Sequence, residues 1–296
     1  MWQQQLNEIK KGDNKTLARC ISLIENEAEG YERLLEQLPF SITPVIGITG
    51  PPGAGKSTLV DALIALLVQA GKKIGVLCVD PSSPFNFGAL LGDRIRMSEW
   101  YNSPEVFIRS LATRGSLGGL HPKIIEITDL LKAAPFDFII LETVGVGQSE
   151  VEIAGLADVT VVVVVPEAGD EVQTMKAGLM EIADIFVVNK ADRPDADLFV
   201  KNLRLMLAPS FSNHTLPVAV IKTIASQKKG IQELFDAIKN TQHQTLNTKR
   251  NFLLAEKAFH LIEQKKMAAI SKADLKIEIE KEGADFNLYQ FIKKFY

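Results

Sequence analysis

The chain has 296 residues, 46% hydrophobic and 23% charged, a composition typical of a globular protein with a substantial core. Its formal net charge of -3 argues against a nucleic-acid-binding surface, and its longest apolar stretch, 159–166, is too short to cross a membrane. The two cysteines form no C-x-x-C pair and imply no disulfide framework, so we expect a cytoplasmic protein that neither binds nucleic acid nor inserts into a membrane.

The N-terminal residues 1–40 are predicted to form a helical extension. Apolar residues such as Leu6 and Ile9 recur there at helical spacing, with charged residues between them. Pro39 and Pro44 mark the exit from this extension into the first predicted strand.

Residues 41–240 alternate predicted strands with predicted helices. The strands are short, rich in Val and Ile and almost free of polar alternation, as strands covered by helices on both faces are. The seven predicted strands are 45–49, 73–79, 106–109, 138–141, 159–165, 185–189 and 218–221. The predicted helices between them are 56–70, 121–133, 171–182, 196–207 and 230–240. This order predicts a three-layer α/β/α domain with a doubly wound, mainly parallel sheet.

The C-terminal residues 241–296 are predicted to be helical and highly charged. Leu253, Phe259 and Ile262 could face a core or a partner. Two interpretations stay open, a two-helix extension that packs on another subunit and a solvated tail.

A glycine-rich loop joins the first predicted strand to the first helix of the domain. It reads G-P-P-G-A-G-K-S-T and matches G-x-x-x-x-G-K-[S/T] at every fixed position. A strand, this loop and a helix in that order aim backbone N–H groups and a helix N-terminus at a polyphosphate, as in a P-loop NTPase. Lys56 is expected to reach the terminal phosphates, and the Ser57 hydroxyl is expected to bind Mg²⁺. The predicted phosphate-binding residues are Gly50, Pro51, Pro52, Gly53, Ala54, Gly55, Lys56, Ser57 and Thr58.

An N-K-x-D motif, Asn189 to Asp192, follows the apolar run 185–188 and indicates which base is bound. A carboxylate only accepts hydrogen bonds, so Asp192 suits the ring N–H and exocyclic amine of guanine. Adenine presents no such pair of donors and would leave Asp192 poorly satisfied. The motif therefore predicts GTP and GDP as ligands through Asn189, Lys190 and Asp192. A second base-side loop is predicted at Ile224, Ala225 and Ser226, with a simple turn as the alternative.

Three acidic residues are candidates for the Mg²⁺ environment. Asp80 and Glu142 each close a predicted strand, at the edge where open α/β sheets bind ligands, and Asp93 lies in G-A-L-L-G-D-R-I-R-M. Glu142 begins E-T-V-G, which has the spacing of D-x-x-G, and Gly145 can offer its backbone N–H to a γ-phosphate. Helix caps and surface carboxylates are the alternatives.

Hydrolysis of GTP also needs charge neutralisation and a positioned water molecule. Three arginines are candidates for the first task, with solvated or ion-paired arginines as the alternative, and Gln148 could orient water. These arginines are Arg94, Arg96 and Arg114.

Several motifs together strongly resemble the MeaB/ArgK/MMAA family of SIMIBI-class P-loop GTPases. The resemblance covers about residues 30–240. It is carried by V-D-P-S-S-P-F (79–85), G-A-L-L-G-D-R-I-R-M (88–97), A-T-R-G-S-L-G-G-L (112–120), E-T-V-G-V-G-Q-S-E (142–150) and N-K-A-D (189–192).

This resemblance implies a GTP-hydrolysing metallochaperone for adenosylcobalamin-dependent mutases, chiefly methylmalonyl-CoA mutase. Such a protein gates cofactor loading, protects the mutase and dimerises through C-terminal helices. By position, the resemblance assigns the Mg²⁺ environment to Ser57, Asp80, Asp93 and Glu142, and catalytic roles to Lys56, Asp93, Glu142 and Gly145. It places a third switch, which couples nucleotide state to the mutase, at 166–176, with Asp170, Gln173 and Lys176 among its members.

Four other functions share part of this pattern. A nickel-chaperone GTPase would be expected to show Cys or His ligands near the switches, and a membrane-protein-targeting GTPase a Met-rich domain. A kinase linked to lysine-arginine-ornithine transport is an older label for the family that the sequence resembles. A non-enzymatic scaffold would bind GTP without releasing phosphate.

Overall fold

The computed structural model describes residues 2–80, 97–113, 120–143, 153–166, 177–207, 218–245, 250–282 and 286–295. The chain divides into two compact units, Met1–Arg250 and Asn251–Tyr296. The predicted domain limits at residues 40 and 240 stay predictions, but helices do occur in both terminal regions.

The first unit is built on a seven-stranded sheet in which every described pairing is parallel. Its strands are β1 Val45–Thr49, β2 Ile74–Asp80, β3 Val106–Ala112, β4 Phe138–Glu142, β5 Val159–Val164, β6 Ile185–Val188 and β7 Ala219–Lys222. Their order across the sheet is β3-β2-β4-β1-β5-β6-β7. The chain moves from β1 to one side of the sheet and returns to the other, so the predicted doubly wound α/β fold is confirmed.

Helices cover both faces of this sheet. Those of the first unit are α1 Trp2–Lys10, α2 Asn14–Glu25, α3 Tyr31–Leu35, α4 Lys56–Gln69, α5 Ile124–Leu131, α6 Ala177–Ile182, α7 Ala196–Met206 and α8 Ile231–Thr245. Val161 and Val163 of β5 pack in one cluster with side chains of α4 and α8. Val162 and Val164 pack in a second cluster with α6 and α7. Because successive strand side chains point to opposite faces, this explains why the strands lack polar alternation.

The N-terminal helices pack against this α/β domain. The buried face of α2 includes Leu17, Ile21 and Ile24, as the helical spacing of apolar residues predicts. Glu25 on this helix pairs with Arg109 of β3, whose guanidinium also donates to the Ser22 hydroxyl at 3.1 Å. The N-terminal extension is thus fixed to an edge strand of the sheet.

The second unit contains α9 Arg250–Met267, apart from its first residue, with α10 Lys272–Lys281 and α11 Leu288–Ile292. Phe291 is buried between the rings of Phe286 and Phe295, with centroids 5.6 and 5.4 Å away. Other large apolar side chains of this unit are exposed, among them Phe259 and Ile262. Among the helices in the described part of the chain, none combines the length and the apolar character needed to cross a membrane.

Candidate functional site

The predicted site residues that the structure describes lie where β1, β2, β4, β6 and β7 end, at the carboxyl edge of the sheet. In open parallel sheets this edge, near the point where the strand order reverses, is where ligands bind. The sheet order places β1 between β4 and β5, so the loop after β1 lies at the centre of this edge.

The loop between β1 and α4 has a backbone that requires glycine at two positions. Gly50 and Gly55 have φ angles of 136° and 89°, in the region that disfavours side chains. A Cβ on Gly50 would lie 2.1 Å from the carbonyl oxygen of Val163, and one on Gly55 would lie 2.5 Å from Nδ2 of Asn189. Glycine therefore lets the loop approach both β5 and the residue that follows β6.

Lys56 is the first residue of α4 and is almost fully buried. Its Nζ donates hydrogen bonds to the carbonyl oxygens of Gly50, at 2.8 Å, and Pro51, at 3.1 Å. Gly55 caps α4 without a side-chain hydrogen bond, so the first N–H groups of the helix are donors suited to an anion. An ammonium group and a helix N-terminus therefore meet at one loop, as the sequence motif predicts.

Ser57 and Glu142 form a buried pair beside Lys56. The Ser57 hydroxyl donates to Oε1 of Glu142 at 2.6 Å, and both residues are at most 5% exposed. Glu142 ends β4, and Cys78 of β2 lies opposite it with Sγ 4.0 Å from Oε2. A hydroxyl and a carboxylate in contact are oxygen ligands of the kind that Mg²⁺ prefers, so this pair fits the predicted metal environment.

The remaining predicted ligands cannot be placed beside this pair. Asp80 is the last residue of β2, but its side chain lies outside the described residues, as does the whole of Asp93. No group of three or more His, Cys, Asp or Glu residues suited to a metal occurs among the residues that are described. Also outside the description are Gly145, Gln148, Arg94, Arg96, Arg114, Asp170, Gln173 and Lys176. Their roles stay predictions.

The N-K-x-D motif contacts the phosphate loop directly. Asn189 follows β6 and donates from Nδ2 to the carbonyl oxygen of Ala54 at 2.9 Å. Lys190 has a left-handed backbone, with φ of 54°, and donates from Nζ to the carbonyl oxygen of Gly53 at 2.8 Å. Two consecutive residues of one loop thus bind two consecutive carbonyls of the other.

The predicted second base-side loop also lies against Asn189. The backbone N–H of Ala225 donates to Oδ1 of Asn189 at 3.1 Å, and the Thr223 hydroxyl donates to the same oxygen at 3.0 Å. Ala225 is buried, whereas Ser226 and Asp192 are exposed. Predicted residues 224–226 and the N-K-x-D motif are therefore brought together, with the Asp192 carboxylate accessible.

Sequence reasoning missed Thr223 and the threonine pair at the centre of the edge. Thr223 is 1% exposed, and the signal for it was a hydroxyl residue directly after a strand and before the predicted loop. The Thr143 hydroxyl donates to the Thr49 hydroxyl at 2.9 Å and joins the ends of β4 and β1. All three threonines are uncharged polar residues at strand ends, which a search for charged groups overlooks.

Comparison with known proteins identifies the family to which this chain is similar. The family model described as Methylmalonyl Co-A mutase-associated GTPase MeaB matches residues 17–276. A "Putative GTPase" of Pyrococcus abyssi is 49% identical over 245 residues, which are 81% of this chain and 75% of the relative. GTPase ArgK of Escherichia coli is 37% identical over 248 residues, which are 79% of this chain and 74% of the relative.

Two further comparisons concern a mammalian relative and the fold. The mitochondrial Methylmalonic aciduria type A homolog of Mus musculus is 36% identical over 262 residues, 80% of this chain and 62% of the relative. A crystal structure titled LAO/AO transport system kinase matches with a TM-score of 0.70 over 99% of this chain and 96% of that chain. At 24% identity, that match supports the P-loop fold and nothing further. The matched family model and relatives show that this chain belongs to the MeaB family of P-loop GTPases and is itself a GTPase.

Proposed function

We propose that this GTPase hydrolyses GTP to GDP and phosphate with Mg²⁺, gates adenosylcobalamin loading and protects a cobalamin-dependent mutase, methylmalonyl-CoA mutase. The observation that carries the nucleotide part is the contact of Asn189 and Lys190 with the carbonyls of Ala54 and Gly53. Through it, a loop suited to phosphates and a loop suited to guanine form a single site.

At the phosphate end, this chain supplies positive charge, hydrogen-bond donors and oxygen ligands. The Lys56 ammonium and the N–H groups at the start of α4 neutralise charge on the phosphates as the γ-phosphate is transferred to water. Ser57 and Glu142, with Asp80 and Asp93, would hold Mg²⁺, which supplies further charge neutralisation when bound. Gly145 is proposed to donate its backbone N–H to the γ-phosphate.

At the base end, selectivity comes from Asp192. Its carboxylate is exposed at the carboxyl edge of the sheet and can accept from two neighbouring donors of guanine. Ile224, Ala225 and Ser226 complete this end of the site. Asn189 acts indirectly: its side chain holds both loops in place through hydrogen bonds and does not itself recognise the base.

The mutase partner is supported by the description of the family model and by the name of the mouse relative. Asp170, Gln173 and Lys176 are proposed as the third switch that transmits the nucleotide state to this partner. The exposed apolar side chains of the second unit, including Phe259 and Ile262, support the proposed homodimer.

A cytoplasmic location is proposed from the two cysteines. Cys20 and Cys78 are both buried and neither is in a disulfide, as expected in a reducing compartment. Burial raises the pKa of the Cys20 thiol to about 11, so this thiol is protonated and unreactive at neutral pH.

The nucleotide proposal is tested by measuring phosphate release from GTP and from ATP, each with Mg²⁺ and with a chelator. We expect release from GTP with Mg²⁺ and little release in the other three conditions. Equal release from ATP would contradict the guanine assignment, and release from GTP in the chelator would contradict the metal assignment.

The partner proposal needs a separate measurement. We expect a purified adenosylcobalamin-dependent methylmalonyl-CoA mutase to bind the protein loaded with a non-hydrolysable GTP analogue and to raise its GTP turnover. The same mutase added to a Lys56→Ala variant is the control, because that variant should not bind the analogue tightly. Unchanged turnover and no complex with the wild-type protein would refute the partner while leaving the GTPase intact.

A further inference from the structure

Three pairs of consecutive residues form a closed ring at the carboxyl edge of the sheet. The pairs are Thr49 and Gly50, Lys56 and Ser57, and Glu142 and Thr143. One hydrogen bond links each pair to the next: Thr143 to Thr49 at 2.9 Å, Lys56 to Gly50 at 2.8 Å, and Ser57 to Glu142 at 2.6 Å. All six residues are buried. The ring therefore joins the ends of β1 and β4 to the start of α4.

Two bonds of this ring are made by groups that the proposed function uses. Lys56 is assigned to the phosphates, so its ammonium is expected to turn from the Gly50 carbonyl towards a phosphate oxygen when nucleotide binds. Ser57 and Glu142 are assigned to Mg²⁺, so a bound ion draws on the lone pairs of their oxygen atoms. Phosphate and Mg²⁺ therefore act on different bonds of the same ring.

The third bond, from Thr143 to Thr49, lies on the other face of the sheet. Ile48 packs in the core cluster with side chains of α4. Successive strand residues point to opposite faces, so the Thr49 hydroxyl points away from α4, and the Thr143 hydroxyl meets it there. The backbone N–H of Thr143 also donates to the Ile48 carbonyl at 3.1 Å, directly after the pairing of Ile48 with Glu142. The threonine bond can therefore stay intact while the other two bonds respond to ligands.

We propose that Thr49 and Thr143 are positioning residues that couple the binding of Mg²⁺ to the binding of phosphate. Their bond holds the Glu142 end of β4 against the Gly50 end of β1, so a shift at one strand end is passed to the other. Such coupling is reciprocal, because Mg²⁺ must raise nucleotide affinity by the factor by which nucleotide raises Mg²⁺ affinity. The inference rests on the proposed function, in particular on Glu142 in the Mg²⁺ environment. Neither threonine contacts the nucleotide or the ion in this role.

Four substitutions separate this role from the loss of a buried hydrogen bond as such. Thr143→Val removes the donor and Thr49→Val removes the acceptor, both with little change of shape. Thr143→Ser keeps the hydroxyl and is the conservative rescue. Thr128→Val is the matched control, because Thr128 is equally buried and its hydroxyl donates to the Ile124 carbonyl at 2.6 Å. Its helix, α5, contributes no residue to the described part of the ring or of the site.

The main readout is the coupling factor, defined as GDP affinity in saturating Mg²⁺ divided by GDP affinity in a chelator. We expect this factor to fall by about fivefold in Thr143→Val and in Thr49→Val, the weight of about one net hydrogen bond, with little change of affinity in the chelator. Thr143→Ser and Thr128→Val should keep the wild-type factor. The double variant Thr49→Val/Thr143→Val should lose no more than either single variant.

A second measurement uses the wild-type protein and does not depend on the variants folding. Hydrogen exchange of the Thr143 amide reports how firmly the two strand ends are held together, because this amide donates to the Ile48 carbonyl. We expect GDP in a chelator to slow this exchange more than it slows the amides of α5, and Mg²⁺ to slow it further.

Three results would overturn the inference. One is a wild-type coupling factor in both valine variants at the ring. Another is an equal loss of GDP affinity with and without Mg²⁺ that Thr143→Ser does not restore, because that pattern indicates a purely structural contact. The third is a Thr143 amide whose exchange GDP slows no more than it slows the amides of α5. Failure of the proposed metal site looks different, because wild-type protein would then bind GDP equally with and without Mg²⁺, and the inference would fall with it.

Discussion

The phosphate end and the base end of the site are built in opposite ways. Lys56, Ser57 and Glu142 are at most 7% exposed and bind groups of this same chain. Asp192 and Ser226, which are assigned to the base, are exposed. Buried polar groups depend on their partners, so a change at the phosphate end that leaves a partner unsatisfied should alter both binding and stability. A change at the base end should alter binding alone.

Lys56→Ala is expected to have the largest effect. It removes a buried ammonium from the phosphate loop and should weaken binding of GTP by about 2–5 kcal/mol, as loss of one partner from a buried charge pair does. Calorimetry with GTP and Mg²⁺ measures this change. Lys72→Ala is the control, because Lys72 is a half-exposed partner of Asp137 outside the site. Tight binding of GTP by Lys56→Ala would show that the Lys56 ammonium is not needed to bind the phosphates.

Glu142→Gln tests whether the buried carboxylate acts through its charge. The amide oxygen of glutamine can still accept from Ser57, so the fold and GDP affinity in a chelator should change little. Loss of the charge on a metal ligand should lower the Mg²⁺-dependent kcat, because it raises the activation free energy by about 3 kcal/mol. Phosphate release across a Mg²⁺ titration measures the effect. A full wild-type rate at low Mg²⁺ would exclude Glu142 from the metal environment.

Asp192→Asn tests the base end with an almost unchanged shape. An exposed carboxylate is replaced by an amide, so the melting temperature should be the same while GTP affinity falls by about 2 kcal/mol. Xanthine carries a carbonyl where guanine carries its exocyclic amine, so binding of xanthosine triphosphate should improve in this variant. Competition binding measures the relative affinity for GTP and xanthosine triphosphate. Unaltered preference for GTP would refute the assignment of Asp192.

Thr223→Val tests the junction between the two ends and should have the smallest effect. Valine keeps the shape of threonine but removes one of two hydrogen bonds to Oδ1 of Asn189, while Ala225 still donates to that oxygen. We expect the free energy of unfolding to fall by about 1 kcal/mol and the affinity for GTP to fall slightly. Denaturant unfolding of Thr223→Val beside Thr223→Ser, which keeps the hydroxyl, measures it. Equal stability of Thr223→Val and the wild-type protein would show that this bond contributes nothing.

The parts of the fold that local sequence encodes were predicted well. All seven strands occur where apolar runs of Val and Ile predict them, and the glycine-rich loop precedes a helix as expected. Some boundaries were wrong: β3 ends at Ala112 rather than at 109, and α8 ends at Thr245 rather than at 240. One further boundary was wrong for a local reason. The helix predicted at 121–133 begins as α5 only at Ile124, because the His121 ring accepts from the backbone N–H of Lys123 and forms a turn first.

The contacts that assemble the site could not be predicted from the sequence. The bond from Asn189 to Ala54 joins residues that are 135 apart in the chain. No local period or motif encodes such a pairing, because it depends on which strand ends the sheet order makes neighbours. The sequence could therefore predict both loops of the site, and Asn189 as a member of one, but not that Asn189 joins the two loops.

The orientation of the Asn189 side chain makes this position sensitive to any loss of its amide nitrogen. Its nitrogen faces the Ala54 oxygen, and its oxygen faces the two donors from Thr223 and Ala225. Spontaneous deamidation would replace that nitrogen by oxygen and set two acceptors against each other at the Ala54 carbonyl. Loss of this one amide group would then weaken the binding of phosphate and of guanine together, without any change in the gene.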